Sequence, residues 1–268
     1  MTLQGAATPA HGNGGESVGN VNKDFLKYIS KLATGSETEI GMPIRLETRR
    51  VVKQHDVFAE GDTLRDVMFL RQGWAYRYRL LGDGRRHIVN FLIPGDFIGP
   101  YFPTAAHFCG ALTDIVICQA PRSDFTNANR DCSALASALE AIMASEYRLL
   151  SERLVSLGRR NARERMAHLL VELYERMRRV GLVHENSYEF PVTQEVLADT
   201  LGLSVVHVNR TLRSLREDGL ATVGFGRVSV RDLDGLMEVA GADEGSESYW
   251  SRASSTGSSL PLAASSSS

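Results

Sequence analysis

The spacing of apolar positions changes along the chain and divides it into segments. Residues 74–81 alternate apolar and polar side chains, and a Gly-Asp-Gly turn at 82–84 precedes a similar segment at 85–93. This combination predicts an antiparallel hairpin. Further short strands are predicted at 48–52, 57–58, 67–71 and 115–120, between glycine and aspartate turns. Many short strands with frequent turns are typical of a small antiparallel barrel or sandwich.

Helical spacing replaces this alternation after residue 130. A long helix is predicted over 131–157, because apolar residues recur there every three or four positions. The apolar stripe is wider than one coiled-coil seam, which favours a helix with one side on the strands and another on a partner helix. The alternative is a helix that packs only on its own barrel, which would leave Glu146 and Arg153 at the surface. The residues expected at the helix–helix contact are Leu135, Leu139, Ile142, Leu149, Leu150 and Leu157.

A second helix is predicted over 161–180, and two short helices with a tight turn follow within 191–220. Thr193 and Ser204 are suited to cap the short helices, and Gly202 to end the first of them. The second short helix is apolar on one side and largely basic on the other, which is a helix-turn-helix pattern. The alternative is an ordinary amphipathic pair in an all-α core. Glycines at 224 and 226 predict a hairpin over 221–230, which makes the motif winged.

Composition limits the remaining possibilities. The 268 residues suit two domains, and a net charge of −2 means that any nucleic-acid footprint must be local. The three cysteines form no CxxC pair, which is typical of a reducing cytoplasm. No apolar run approaches the ~18 residues that span a bilayer, and the N-terminus lacks the features of a secretory signal. The chain has no P-loop, GxSxG, HExxH or paired-carboxylate motif and no metal-ligand spacing, so neither an enzyme nor a metal site is expected.

The predicted elements divide the chain into five parts. Residues 1–21 and 241–268 are rich in small and polar residues, and we expect them to be disordered. Between them lie a barrel at 22–130, which begins with a short helix at 22–32, a long helix at 131–158 and a winged helix-turn-helix at 159–240.

Three segments carry a resemblance to a known family. They are the turn Ile-Pro-Gly-Asp-Phe-Ile-Gly at 93–99, the hinge and helix start at 157–166, and the helix-turn-helix at 193–220. In this order they resemble the cyclic-AMP receptor protein/FNR family of bacterial transcription regulators, over roughly 25–240. The resemblance implies an α+β fold with an N-terminal antiparallel β-barrel of the cyclic-nucleotide-binding-like jelly-roll type, a long dimerisation helix and a C-terminal winged helix-turn-helix. It also implies a cytoplasmic homodimer that binds an inverted repeat in double-stranded DNA and contacts RNA polymerase, with no membrane partner.

The same resemblance suggests which residues bind DNA. Arg210 matches a family arginine that contacts guanine, and its planar fork suits the O6/N7 acceptor pair. Asn209 could pair bidentately with adenine. Val206 stands where many relatives carry a glutamate, and it can contact only a thymine methyl. Val205 lies in the same first turns of the helix, whereas Ser204, His207 and Arg213 are better suited to phosphates.

The signal that would control DNA binding is harder to assign. Relatives that bind cyclic AMP carry Gly-Glu after the turn and then an arginine, but here Pro100 follows Gly99 and the segment 105–111 has no arginine. Cyclic AMP is therefore not expected. An iron–sulfur cluster is not expected either, because no cysteine precedes Cys109. No cofactor is predicted, although haem ligation by His87, His107 or Cys109, a redox role for Cys109 or Cys132, and constitutive binding all remain open. The candidate effector pocket comprises Ile98, Gly99, Tyr101, His107 and Cys109.

One further function competes with transcription regulation. A signalling adaptor could use the barrel to bind a ligand and the C-terminal motif to bind a protein. The basic side of the second short helix has no acidic residue from Arg210 to Arg216, which argues against this alternative.

Overall fold

The computed structural model describes residues 44–99 and 103–241. The predicted helix at 22–32 and both predicted tails, except residue 241, lie outside these ranges. Seven strands are described before residue 122, and we call them the β domain. They are β1 (Glu47–Val51), β2 (Asp56–Phe58), β3 (Asp66–Gln72), β4 (Ala75–Leu80), β5 (Arg86–Leu92), β6 (Phe108–Ala111) and β7 (Ile115–Pro121).

The β domain contains two antiparallel sheets. One has the strand order β1-β7-β3 and the other β2-β6-β4-β5. The predicted hairpin is confirmed, because β4 pairs with β5 and Gly84, at a φ of +83°, donates its N–H to the Leu81 carbonyl. Strand β6 was not predicted. Its sequence, Phe-Cys-Gly-Ala, lacks the alternation that revealed the other strands.

The burial of β3 explains why its sequence is continuously apolar. Met68 and Leu70 face a core that both sheets share. Val67 and Phe69 face a second core, which includes Leu135 and other residues C-terminal to the β domain. A strand that is covered on both faces needs apolar residues at successive positions.

Three helices follow the β domain, where two were predicted. They are α1 (Arg122–Asp131), α2 (Ser133–Arg159) and α3 (Ala162–Arg179). The prediction of one helix from 131 was incomplete, because extended backbone at Cys132, with φ −127°, separates α1 from α2. Phe125 is the buried residue of α1, so α1 carries no apolar stripe that would reveal it. Asn161 caps α3, and it accepts from the Glu164 N–H at 3.1 Å while the Glu164 carboxylate accepts from the Asn161 N–H.

The inward face of α2 differs from the predicted one. Leu135, Leu139 and Leu149 are buried within the chain, so they are not free to form the predicted contact with a partner helix. Arg153 is buried as well, and Glu146 is half-buried. Glu146 pairs with Arg77 of β4, and Arg153 pairs with the fully buried Glu172 of α3.

The C-terminal part contains the predicted helix-turn-helix and hairpin. Its elements are β8 (Ser187–Glu189), α4 (Gln194–Leu201), α5 (Val205–Glu217), β9 (Ala221–Gly224), β10 (Arg227–Val230) and α6 (Leu233–Val239). Strand β8 adds an unpredicted third strand to the hairpin, in the order β8-β10-β9. The core of this part continues into the β domain, where the Trp74 ring meets the Phe190 ring edge-on at a centroid distance of 6.1 Å. Across the described ranges, no helix has both the length and the apolarity to cross a bilayer.

Candidate nucleic-acid interface

The two short helices are held by the caps that the sequence predicts. The Thr193 hydroxyl accepts from the Val196 N–H at 3.3 Å, and the Ser204 hydroxyl accepts from the His207 N–H at 3.2 Å. Gly202 takes the left-handed conformation at φ +64°, which a residue with a Cβ rarely adopts. These caps fix where α5 begins and therefore which side chains occupy its first turns.

Helix α5 separates buried and exposed residues as its pattern predicts. Val208 and Leu215 are buried against the core, and Leu212 is half-buried. Thr211 is also buried, and its hydroxyl donates to the His207 carbonyl at 2.8 Å. The opposite side carries exposed Asn209, Arg210, Arg213 and Arg216, with half-buried His207 near its start.

The two arginines proposed for DNA contact differ in their surroundings. Arg213 pairs with Glu217 at 2.7 Å, one turn along the same exposed surface. Arg210 is exposed and forms no ion pair or hydrogen bond with any residue in 44–99 or 103–241. Its guanidinium is therefore available to an external acceptor pair, such as the O6 and N7 atoms of guanine.

The start of α5 presents an apolar side chain to solvent. Val206 is 78% exposed, whereas its neighbour Val205 is half-buried. The exposed methyl groups of Val206 can contact a thymine methyl but cannot accept a hydrogen bond from cytosine. The Ser204 oxygen is used in the cap, which leaves its O–H hydrogen to meet a phosphate.

Asn209 has a partner that the sequence did not reveal. Its Nδ2 donates to the Gln194 Oε1 at 2.7 Å and to the Val205 carbonyl at 3.2 Å. Gln194 begins α4, the first helix of the motif, and it is exposed. The two residues lie 15 positions apart, so no helical or strand spacing relates them.

The hairpin next to α5 completes the surface. Phe225 and Gly226 form its tip with φ values of +51° and +70°, and Phe225 is fully exposed. Sequence reasoning identified the turn but not the exposure of this aromatic ring. A groove between α4, α5 and β9 is lined by Gln194, Asn209, Arg210, Leu212, Arg213, Arg216 and Val223.

A second surface lies on α2, beside its buried face. Met143, Tyr147 and Leu154 are 40%, 74% and 72% exposed, and Leu150 and Leu157 are half-buried between and after them. We call these five residues the α2 stripe. Their 4-3-4-3 spacing is that of a coiled-coil seam. Of the six predicted contact residues, only Leu150 and Leu157 belong to it. Leu135, Leu139 and Leu149 are buried, and Ile142 lines a partly open pocket.

The residues of the predicted effector pocket differ in their exposure. Ile98 and Cys109 are fully buried in the core shared by the two sheets, and Tyr101 lies outside the described residues. Gly99 is buried as well, and a Cβ there would come within 3.3 Å of Met68. Burial raises the pKa of the Cys109 thiol to about 12, so it is a poor source of a thiolate ligand. Burial, together with Arg77 and Arg79, lowers the pKa of His107 to about 4.

Buried ion pairs connect the β domain with α2 and α3. Arg176 donates to Glu172 at 2.9 Å and pairs with Asp96 in the turn after β5. Glu172 also pairs with Arg153 of α2 at 3.1 Å. Burial by itself raises the pKa of Glu172, but the charges of Arg153 and Arg176 outweigh this effect, and the pKa lies below the ordinary value. We call Asp96, Arg153, Glu172 and Arg176 the buried ion network.

A partly open pocket adjoins this network. It has a volume of about 120 Å³ and lies between the turn at 92–97, α2 and the end of α3. Within the described ranges, no group of three or more His, Cys, Asp or Glu side chains is placed to hold a metal ion.

Two models of known families match separate parts of the chain. Residues 48–131 match the model of the cyclic nucleotide-binding domain, and residues 164–239 match that of the Crp-like helix-turn-helix domain. The first match overlaps the β domain, and the second contains the candidate nucleic-acid interface.

Similar proteins include named regulators. The transcriptional activator protein FnrL of Cereibacter sphaeroides is 33% identical over 192 residues, which cover 70% of this chain and 77% of that protein. The nitrogen fixation regulation protein FixK of Azorhizobium caulinodans is 30% identical over 190 residues, covering 70% and 76%. Among solved structures, FixK2 from Bradyrhizobium japonicum superposes with a TM-score of 0.66 at 26% identity, covering 72% of this chain and 96% of that one.

Proposed function

The chain belongs to the Crp/Fnr family of bacterial transcription regulators, and we propose that it binds an inverted-repeat operator as a homodimer through α5. Like its relatives, it is a DNA-binding transcription regulator and not an enzyme. The observation that carries the proposal is the exposed guanidinium of Arg210 on the outer side of α5, which has no partner among the residues that the structure describes. A protein-binding adaptor is not favoured, because the named relatives are regulators with the same C-terminal domain.

The side chains of α5 divide into base-reading and positioning groups. Arg210 reads guanine, and exposed Val206 contacts a thymine methyl beside it. Val205 supports the first turn from its half-buried position. Ser204, His207 and Arg213 contact phosphates, which fix the register without reading sequence. Many relatives carry a glutamate where this chain has Val206, and a glutamate accepts a hydrogen bond whereas valine offers only methyl groups. The DNA half-site of this protein therefore differs in sequence from one that a glutamate reads.

The dimer forms along the α2 stripe. Pairing with a second copy would remove Tyr147 and Leu154 from water, and two-fold symmetry makes the contact self-complementary. Two copies of α5 then lie about one DNA turn apart, roughly 34–36 Å, which requires an inverted repeat. The dimer acts on DNA in the cytoplasm. RNA polymerase is a further partner there.

The described residues of the β domain do not fit a cyclic nucleotide. The phosphate would need a free cation near β6, but buried Arg77 is already bound by Glu146 and by the Phe97 carbonyl, the latter at 2.6 Å. Segment 105–111 contains no arginine, and Cys109 and Gly110 are packed inside the sheets. The raised pKa of Cys109 and the burial around it also disfavour thiolate ligation of haem. The signal is therefore of another kind, or DNA binding is constitutive.

Selection from random double-stranded DNA tests this function. Full-length protein should enrich an inverted repeat whose half-sites are one helical turn apart, and the affinity should fall with salt. A parallel selection with cell extract shows whether a small molecule is needed. Recovery of no common sequence under either condition would contradict the proposal. Calorimetry with cyclic AMP supplies the ligand control, and no micromolar binding is expected.

A further inference from the structure

The amide of Asn209 is fully engaged at its nitrogen. Asn209 Nδ2 carries two hydrogens, and it has two acceptors, the Gln194 Oε1 at 2.7 Å and the Val205 carbonyl at 3.2 Å. A single asparagine that binds adenine bidentately must donate from Nδ2 to N7 while Oδ1 accepts from N6. In this arrangement, no Nδ2 hydrogen remains for N7.

The hydrogen-bond network fixes the orientation of both amides. A backbone carbonyl can only accept, so the Asn209 atom beside the Val205 carbonyl must be the nitrogen. That nitrogen then requires an acceptor from Gln194, which must be Oε1. Two groups have no partner within 44–99 or 103–241, namely the Oδ1 of Asn209 as an acceptor and the Nε2 of Gln194 as a donor.

These remaining groups complement one base. Adenine presents an N6–H donor and an N7 acceptor side by side in the major groove. We propose that Gln194 and Asn209 together read one adenine in each half-site, with Asn209 Oδ1 accepting from N6 and Gln194 Nε2 donating to N7. Gln194 thereby becomes a base-reading residue although it lies on α4 and not on α5. The proposal rests on the proposed function, since it assumes that α5 enters the major groove.

The position of the pair supports this assignment. Gln194 and Asn209 are both exposed, and both line the groove that contains Arg210. Asn209 precedes Arg210 directly, so the adenine is read close to the guanine that Arg210 contacts. The internal hydrogen bond also orders both amides before DNA arrives, which reduces the conformational freedom lost on binding.

Base analogues test the assignment atom by atom. The operator selected by the full-length protein is prepared with 7-deazaadenine, which lacks the N7 acceptor, at each adenine of the half-site in turn. One position should weaken binding by the wild type by about 3- to 10-fold, the effect of one hydrogen bond. The Gln194→Ala variant should bind the operator with adenine at that position and the operator with 7-deazaadenine there equally well. Replacing the same adenine with purine, which lacks the 6-amino group, should weaken binding by the wild type but not binding by the Asn209→Ala variant.

Several outcomes would overturn the assignment. If Gln194→Ala remains as sensitive to 7-deazaadenine as the wild type, Asn209 reads the base alone and the shared role of Gln194 is wrong. A selected half-site without any adenine contact would also reject it, while the DNA-binding function would stand. Failure to select any operator would reject both. Arg213→Ala is the matched control, because it should weaken binding to all operators yet keep the wild-type response to each analogue.

Discussion

Arg77, in the interior of the β domain, forms an ion pair with Glu146, which lies on α2. Arg77 is 5% exposed, and burial lowers the pKa of its guanidinium. A charge in this position requires its partner, because transfer of an unpaired ion from water into the interior is costly. The pair therefore specifies which face of α2 lies against the β domain.

Removal of one partner of the Arg77–Glu146 pair should reveal the cost of an unpaired charge in the interior. Glu146→Ala leaves the Arg77 cation buried without its carboxylate, and we expect the free energy of unfolding to fall by roughly 3–5 kcal/mol. Replacing both residues, as Arg77→Met with Glu146→Leu, should recover most of this loss. Urea unfolding of both variants measures the changes. Arg79→Ala is the control, since the exposed pair of Arg79 with Glu60 should contribute no more than about 1 kcal/mol.

The buried ion network should make stability depend on pH. The pKa of Glu172 is lower in the folded protein than its ordinary value, so its stabilising effect is complete above the unfolded pKa of about 4.3. The effect is lost as pH falls through the folded pKa. Glu172→Gln should therefore be much less stable than the wild type at pH 7, and the difference should shrink below pH 4. Unfolding free energies at pH 7, 5, 4 and 3 measure this, with exposed Glu189→Gln as the control. A gap that stays constant with pH would contradict the assigned role.

Arg210 and Arg213 should respond differently to truncation. Arg210→Ala should weaken binding to the selected operator by about 1–3 kcal/mol and relax the preference at one half-site position. Arg213→Ala should weaken binding to all sequences alike and reduce the salt slope by about 1. Gel shifts on operator and random DNA at several salt concentrations distinguish the two effects. Equal losses for both variants on both DNAs would refute this division.

The two faces of α2 should have separable roles. Leu154→Glu places a charge in the α2 stripe and should convert a dimer into a monomer, because a charge cannot be buried there without a partner. Leu139→Ala should instead lower the stability of each subunit by about 2–5 kcal/mol and leave the dimer intact. Sedimentation velocity and thermal unfolding report the two effects. Ala144→Glu, exposed on α2 outside the stripe, is the charge-matched control.

Local patterns predicted much of the fold. The alternation in β4 and β5, the caps at Thr193 and Ser204, and the turn at Gly202 are all confirmed, because each depends on residues that are close in sequence. Helix α1 and strand β6 were missed for a related reason. Neither has an apolar period of its own, and their positions are set by the elements that cover them.

Long-range pairs set the limit of the prediction. Helix α2 carries apolar residues on two adjacent faces, and spacing cannot decide which one is buried. Glu146 and Arg153 decide it through Arg77 and Glu172, which lie 69 and 19 positions away. The partnership of Gln194 with Asn209 was hidden in the same way, so the residues proposed for DNA contact were identified without the amide that orients one of them.

The shared packing of Trp74 and Phe190 bears on the modularity of this chain. The Trp74 side belongs to the β domain and the Phe190 side to the DNA-binding part, and Arg86 of β5 also pairs with Asp199 of α4 at 2.8 Å. A hybrid protein that exchanges only residues after the hinge would separate these partners and expose a tryptophan. The smallest interchangeable unit therefore includes the surface of the β4–β5 hairpin as well as the helix-turn-helix. A substitution in this hairpin can therefore alter the support of the helix-turn-helix without changing any residue proposed to contact DNA.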